Sequence, residues 1–286
     1  MGRVQEKVVF ITGAARGQGR SHALRLAEEG ADIIAVDICA DISTNAYPLA
    51  TQEDLDETVR QVEKLDRRIV ARTADVRDPA ALKAAVADGV SELGRLDAVV
   101  AQAGICPLGS QEAQAFLDAV TVDFNGVVNA VDAALPHLAD GGSVIATGSL
   151  AALISGSTDN PAHGSGGLGY SFAKRTVAAF VNDLAIALAP RRIRANAVHP
   201  TNCNTDMLNS DVMYRQFRPD LENPTREDAL GAFPAMSAMG VPYVEPHDIA
   251  NAVLFLVSDE SRFVTGMQFR IDAGGYVKLR PQQPAF

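Results

Sequence analysis

The sequence of 286 residues predicts an α/β fold: a doubly wound parallel β-sheet with helices on both faces and ligands gathered at the C-terminal ends of the strands. Three observations carry this. Short apolar, β-branched runs alternate with helical patterns along the chain, and such runs read as strands buried on both faces. The first run ends in a glycine-rich turn that opens a helix. No repeat, low-complexity tract or second core interrupts the pattern, so residues 1–286 read as a single domain.

The first strand is Lys7–Thr12, and the turn is Gly13-Ala14-Ala15-Arg16-Gly17-Gln18-Gly19. A helix from about Arg20 to Glu29 follows and stops at Gly30. Strand, turn and helix N-terminus together make a cradle for a diphosphate, because glycine backbone can approach the ligand and the first N–H groups point at the anion. The next strand, Ala31–Val36, closes on Asp37, 18 residues after Gly19, with Ile38 and Cys39 behind it. A carboxylate there can accept hydrogen bonds from ribose hydroxyls and repel a 2′-phosphate. No Arg stands close by to welcome that phosphate, so NAD is expected rather than NADP.

Residues 40–53 are polar and hold Pro48, an excursion longer than most strand–helix connections. It leaves from the adenosine end of the expected cofactor and reads either as a cover for it or as a solvated insertion. A helix from about Glu53 to Leu65 comes next, then a strand, Ile69–Ala74, ending in Asp75-Val76, which suits the adenine ring. Pro79 opens a helix to about Leu93, as Pro does in a first turn. The strand Leu96–Val100 runs into Ala101-Gln102-Ala103-Gly104, small enough for the nicotinamide-side ribose to lie against backbone. A long helix, roughly Ala113–Leu138 and interrupted near Gly126, precedes the strand Ser143–Thr147 and Gly148-Ser149.

Residues 155–169, rich in Gly, Ser, Pro and Asn, read as a loop. The helix after it carries Tyr170 and Lys174 and runs to about Ala189 before Pro190. A Tyr and a Lys four residues apart share one helix face. A phenol titrates too high to be a base at neutral pH, but a neighbouring ammonium favours the phenolate, and such a pair can exchange a proton with an alcohol. Tyr-x-x-x-Lys alone is also an ordinary surface spacing, so the assignment depends on the cofactor cradle elsewhere in the chain. The strand Ile193–Val198 leads to the loop His199–Thr205. Residues 206–244 read as irregular, with Met207, Leu208, Met213, Phe217, Phe233 and Met236 among them. Such side chains suit a lid over an apolar substrate, or equally the packing of that lid against the core. A helix from Pro246 to about Ser258 and a strand Met267–Ile271 complete the pattern.

Charge and cysteine usage narrow the function. Lys plus Arg number 25 against 35 Asp plus Glu, a formal charge of −10 with no basic cluster, which argues against nucleic acid or a membrane surface as partner. No run approaches the roughly 18 apolar residues of a membrane span, and Met1–Lys7 carries no signal-peptide core. Cys39, Cys106 and Cys203 are odd in number and far apart, which fits a cytoplasmic protein without disulfides. The five histidines show no metal spacing with them, so no metal is expected.

Thr12-Gly-x-x-x-Gly-x-Gly19, Asp75, Ala103-Gly104, Ser149, Tyr170-x-x-x-Lys174 and Pro200 through Thr205, in this order, resemble the short-chain dehydrogenase/reductase family over nearly the whole length. Gly13-Ala-Ala-Arg-Gly-Gln-Gly-Arg20, the insert after Asp37-Ile38-Cys39, His199-Pro200-Thr201 and Phe217–Glu222 look like its carveol dehydrogenase-like, mycofactocin-coupled branch. The resemblance implies a Rossmann-type fold, with Tyr170 as general acid/base and Ser149 bonding the reacting oxygen. It implies that Lys174 lowers the Tyr170 pKa and bonds the nicotinamide ribose. Gly13, Arg16, Gly17, Gln18 and Gly19 would hold the adenosine diphosphate, and Pro200, Thr201, Asn202, Cys203 and Thr205 the carboxamide end. It further implies a homotetramer, and NAD that stays bound and is reoxidised in place by a mycofactocin-type redox partner.

Three features depart from the family pattern. Gln102 stands where the family has Asn. Asp123, three residues before Gly126, occupies the position of the family's proton-relay Asn, while Asn125 would face elsewhere. A carboxylate there would sit near Lys174 and tend to raise its pKa. Ser149 precedes Tyr170 by 21 residues, longer than the family norm, so the extra residues should loop out at the substrate mouth. The expected function is interconversion of a secondary alcohol and a ketone on an apolar, cyclic or terpenoid-like molecule. A freely exchanging ketoreductase for sugars, acyl thioesters or quinones, and a non-catalytic dinucleotide sensor, are the alternatives.

Overall fold

The computed structural model describes residues 2–280. Seven strands form one parallel sheet in the order β3-β2-β1-β4-β5-β6-β7. They are β1 (Val8–Thr12), β2 (Asp32–Asp37), β3 (Ile69–Thr73), β4 (Leu96–Ala101), β5 (Leu138–Thr147), β6 (Arg194–Pro200) and β7 (Gln268–Ile271). The helices are α1 (Gly17–Glu28), α2 (Gln52–Glu63), α3 (Pro79–Leu93), α4 (Ala113–Val120), α5 (Gly126–Ala134), α6 (Gly164–Leu188), α7 (Asp211–Phe217), α8 (Arg226–Leu230), α9 (Pro246–Val257) and α10 (Gly275–Leu279).

Both faces of the sheet are covered, which is why the strands are apolar without alternation. Val8, Phe10, Ile34, Val36, Val99 and Val144 point into a core with α3, α5 and α6. Their neighbours Val9, Ile11, Ile33, Ala35, Val100 and Ile145 point into a second core with α1, α2 and α9. Local chemistry sets the helix starts. Thr51 and Asp54 form a capping box for α2, and Asp78 accepts from Ala80 and Ala81 N–H ahead of Pro79.

Three stretches differ from the sequence expectation. The helix expected over Ala113–Leu138 ends at Ala134, and Leu138 instead pairs with Leu96 as the first residue of β5. Between α4 and α5, residues Thr121–Asn125 form a π-helical turn, the interruption expected near Gly126. Residues 164–169, read as loop, are the first turns of α6. Their glycines are there for close approach: a Cβ on Gly166 would lie 1.9 Å from the Pro107 carbonyl oxygen, and one on Gly169 would lie 2.7 Å from the backbone of Phe116 in α4. The segment 206–244 is not irregular: α7, α8 and a 3-10 turn at Phe233–Met236 pack around Leu208, Tyr214, Ala229 and the wholly buried Phe233. The five-residue α10 was too short to register as a period.

Candidate active site

The strand order reverses between β1 and β4, and the loops that follow these two strands part there to leave a crevice at the sheet's C-terminal edge. A groove of about 150 Å³ lies in it, and it leads into a larger cavity of about 660 Å³. Gln18, Gln102, Gly104, Thr205 and Met207 line both spaces.

The groove is walled by the turn after β1. Gly13, Arg16, Gly17, Gln18 and Gly19 all line it. A Cβ on Gly19 would stand 1.9 Å from the Gly13 carbonyl oxygen, so α1 can begin this close to β1 only with glycine there. Asp37 and Ile38 close one end with Asp75 and Val76, and Ala103 and Gly104 also line the groove. Asp37 is buried, and its carboxylate accepts the backbone N–H groups of Ala15 at 3.0 Å and Cys39 at 3.2 Å. Burial pushes this carboxyl up, against those two bonds and Arg16. Asp75 turns its carboxylate to the Arg77 guanidinium at 2.6 Å. Thr12 Oγ1 accepts from the N–H groups of both Gln102 and Ala103, fixing the loop after β4 to the end of β1. Gln102 Oε1 in turn accepts from Thr147 Oγ1 at 2.6 Å and lies 3.1 Å from Nε2 of the buried His22.

The stretch after β2 folds down over the groove. Ile42 enters the core, Thr44 Oγ1 donates to Asp118 Oδ2 at 2.7 Å, and the buried Tyr47 hydroxyl accepts the Cys106 N–H at 3.2 Å. Arg16 donates to the Pro48 carbonyl and lies 3.4 Å from Asp206, so it bridges this insert and the start of the segment beyond β6. A dinucleotide fits this groove on the structure's own terms: the glycine turn leaves space a Cβ would fill. The buried Gln18 Oε1 and Thr201 Oγ1 have no hydrogen-bond partner among the described residues.

The larger cavity brings together Ser149, Tyr170, Lys174 and Asp123, together with Pro200, Thr201, Asn202 and Cys203. Ser149 ends the loop after β5, and its backbone is pinned by His199, whose Nδ1 accepts the Ser149 N–H at 3.1 Å while Nε2 meets Gln268 Oε1 at 2.7 Å. Tyr170 and Lys174 share the inner face of α6, with the ammonium 5.6 Å from the phenol ring centre. Lys174 Nζ donates to the Thr147 carbonyl at 3.0 Å and lies 3.2 Å from Asp123 Oδ2. Asp123 is wholly buried at the π-helical turn, while Asn125 is exposed. Turns of this kind recur at functional sites because the extra residue re-aims a side chain.

Burial pushes the Tyr170 phenol well above its ordinary range, the Cys106 thiol and Asp123 add to this, and Ser149 works the other way. The ammonium is already engaged by Asp123. Burial likewise pushes the Asp123 carboxyl up, opposed first by Lys174 and then by the Ile105 N–H.

Beyond the reactive wall the cavity is apolar. Met207, Leu208, Met213, Phe217 and Met236 line it from the segment after β6, whereas Met239 is exposed elsewhere. Leu208, Met213 and Phe217 also pack around Phe233, so the same side chains both line the cavity and hold the segment together. The extra residues before α6 contribute Gly156, Ser157, Thr158 and His163 to the cavity, and His163 is hydrogen-bonded to Gln216 of α7. Sequence reading missed Tyr47, Cys106, His163 and Gln216. Of these only Tyr47 left a signal, as the one aromatic residue in the polar stretch 40–53.

A sequence profile described as Enoyl-(Acyl carrier protein) reductase matches residues 13–276. The chain is 44% identical over 285 residues to (-)-trans-carveol dehydrogenase of Rhodococcus erythropolis, covering 97% of this chain and 100% of that protein. Carveol dehydrogenase from Mycobacterium avium, solved in complex with NAD, superposes with a TM-score of 0.91 at 47% identity, covering 97% of this chain and 100% of that one. A short chain dehydrogenase from Mycobacterium paratuberculosis, bound to NAD, gives 0.82 at 37% identity, covering 96% and 100%. With these matches running through the glycine turn, the crevice and the Tyr170 helix alike, the chain belongs to the short-chain dehydrogenase/reductase family.

Proposed function

We propose that this chain is an NAD-dependent oxidoreductase that interconverts a secondary alcohol and a ketone on a mostly apolar, cyclic or terpenoid-like substrate, with Tyr170 as general acid/base. The observation that carries this is the convergence of Ser149, Tyr170 and Lys174 on one wall of a cavity that opens onto the glycine-lined groove. Relatives named carveol dehydrogenase support the alcohol class, and the apolar lining from Met207 to Met236 supports the substrate's character. When bound, NAD supplies the acceptor for the hydride that leaves the carbinol carbon.

The chain's own residues do the rest. The glycine turn and Gln18 hold the diphosphate, Asp37 receives the adenosine ribose, and Asp75 and Val76 flank the adenine. Thr201, Cys203 and Thr205 stand at the carboxamide end. Ser149 orients the substrate oxygen, Tyr170 takes the hydroxyl proton in oxidation and returns it in reduction, and Lys174 bonds the ribose and carries compensating charge. The insert, locked by Tyr47, Thr44 and Arg16, supports a dinucleotide that stays bound through turnover and is reoxidised in place by a mycofactocin-type redox partner. Three free cysteines fit a cytoplasmic setting. Exposed Leu117, Leu168 and Phe172 on α4 and α6 suit contact with further copies in a homotetramer. Among the described residues no helix is long and apolar enough to cross a membrane.

Mass spectrometry of freshly purified, denatured protein tests cofactor retention: near-stoichiometric NAD is expected. An empty preparation that turns over with added NAD(H) and no redox partner would replace this reading with a freely exchanging ketoreductase.

A further inference from the structure

We propose that Asp123 is a positioning residue that compensates the charge of Lys174 inside the cavity wall, so that alcohol oxidation by this chain requires more alkaline conditions than a neutral residue at 123 would. This rests on Tyr170 being the acid/base, as proposed above.

The geometry is specific. Asp123 and Lys174 are both buried, at the wall of the cavity. Asp123 Oδ1 is held by the Ile105 N–H at 2.8 Å, which leaves Oδ2 facing the ammonium at 3.2 Å. Oδ2 has no well-aligned hydrogen bond among the described residues, so its link to Lys174 is mainly one of charge. A Cβ on Gly104 would come within 3.3 Å of both Asp123 Oδ2 and Lys174 Nζ, so glycine at 104 is what leaves room beside the pair.

Among the described residues no other charge faces this centre. The groups packed around it are the Cys106 thiol, the Tyr47 phenol from the insert, Tyr170 itself and the His199 imidazole at the end of β6. Burial holds both thiol and phenols protonated and the imidazole neutral. Lys174 and Asp123 therefore set the local field alone, and their charges oppose. An amide at 123 keeps the acceptor for Ile105 N–H but removes the negative charge. The ammonium then acts on Tyr170 uncompensated, which favours the phenolate.

The test compares wild type with Asp123→Asn, and with Asp123→Ser as a second neutral variant. One readout is the phenolate absorbance against pH of protein carrying trifluorotyrosine in place of Tyr170, whose fluorines bring the buried phenol's titration into a range the fold survives, with the Tyr170→Phe titration subtracted. The other is the acid limb of kcat/KM for oxidation of a cyclic secondary alcohol. In both neutral variants the Tyr170 titration and the acid limb should move down by about one pH unit, the effect of one buried charge at an effective dielectric near 20. A residue that merely shapes the cavity would lower the rate at every pH and leave both midpoints in place, and that result overturns the proposal. Wild-type turnover by Tyr170→Phe would instead overturn the acid/base assignment, while the absorbance readout still reports on the pair.

Discussion

The insert after β2 can be unlatched with one atom. Tyr47→Phe removes the hydroxyl that accepts the Cys106 N–H at 3.2 Å and leaves the ring in its buried place. With the insert down, that N–H then loses its protein partner beneath the buried ring. With the insert lifted, water satisfies it. The penalty therefore falls on the closed state and amounts to about 1–3 kcal/mol for a buried donor left unpaired. At 1.4 kcal/mol per factor of ten, dinucleotide release through an opening insert should accelerate about 5- to 150-fold. The assay loads the protein with NADH, mixes it with excess NAD and follows the loss of protein-bound nicotinamide fluorescence. An unchanged release rate in a variant that still folds would refute the claim that this insert gates the cofactor.

Other consequences follow from burial. Phe233→Ala empties the centre of the lid cluster, where the ring is wholly buried and 4.8 Å from Phe217; it should destabilise the lid by about 3–5 kcal/mol and raise KM for apolar alcohols more than it lowers kcat. Burial lowers His22 from 6.5 to about 4. Its folded pKa is below the unfolded one, so the stability it contributes is complete above pH 6.5 and is lost as pH falls toward 4. By pH 5 that loss is about 2 kcal/mol. The loss of unfolding free energy between pH 7 and 5, read from urea melts, should be smaller in His22→Gln than in wild type by about 2 kcal/mol, the remainder belonging to His199 and His163, which burial also lowers.

The features legible in the sequence were those whose physics is local. Strands buried on both faces announce themselves as unbroken apolar runs, and the turn from Gly13 to Gly19 and the pair Tyr170 and Lys174 carry their spacing on the chain. Features that depend on a distant surface were not legible. Gly164 to Gly169 looked like loop, because composition does not reveal that Pro107 and Phe116 press against those positions and leave space for nothing larger. Residues 206–244 looked irregular because their short helices are stabilised by packing on Phe233 rather than by a repeating period. The presence of a carboxylate near Lys174 could be read from the position of Asp123. Its consequence could not, since whether the ammonium favours the phenolate depends on burial and on which oxygen faces it. Tyr47 and Gln216 reach the site from elements far away in sequence; Tyr47 stands out as the one aromatic residue of a polar stretch, while nothing around Gln216 foretells its place.

The central claim, that Tyr170 exchanges the proton while hydride passes to NAD, is tested most directly by a single turnover. NAD-loaded protein is mixed with a cyclic secondary alcohol such as carveol, and the rise of nicotinamide absorbance is followed for wild type and for Tyr170→Phe. Loss of a positioned general base should slow the rise by about 10²- to 10⁴-fold while dinucleotide binding is retained. An equal rate in the two proteins would contradict the assignment.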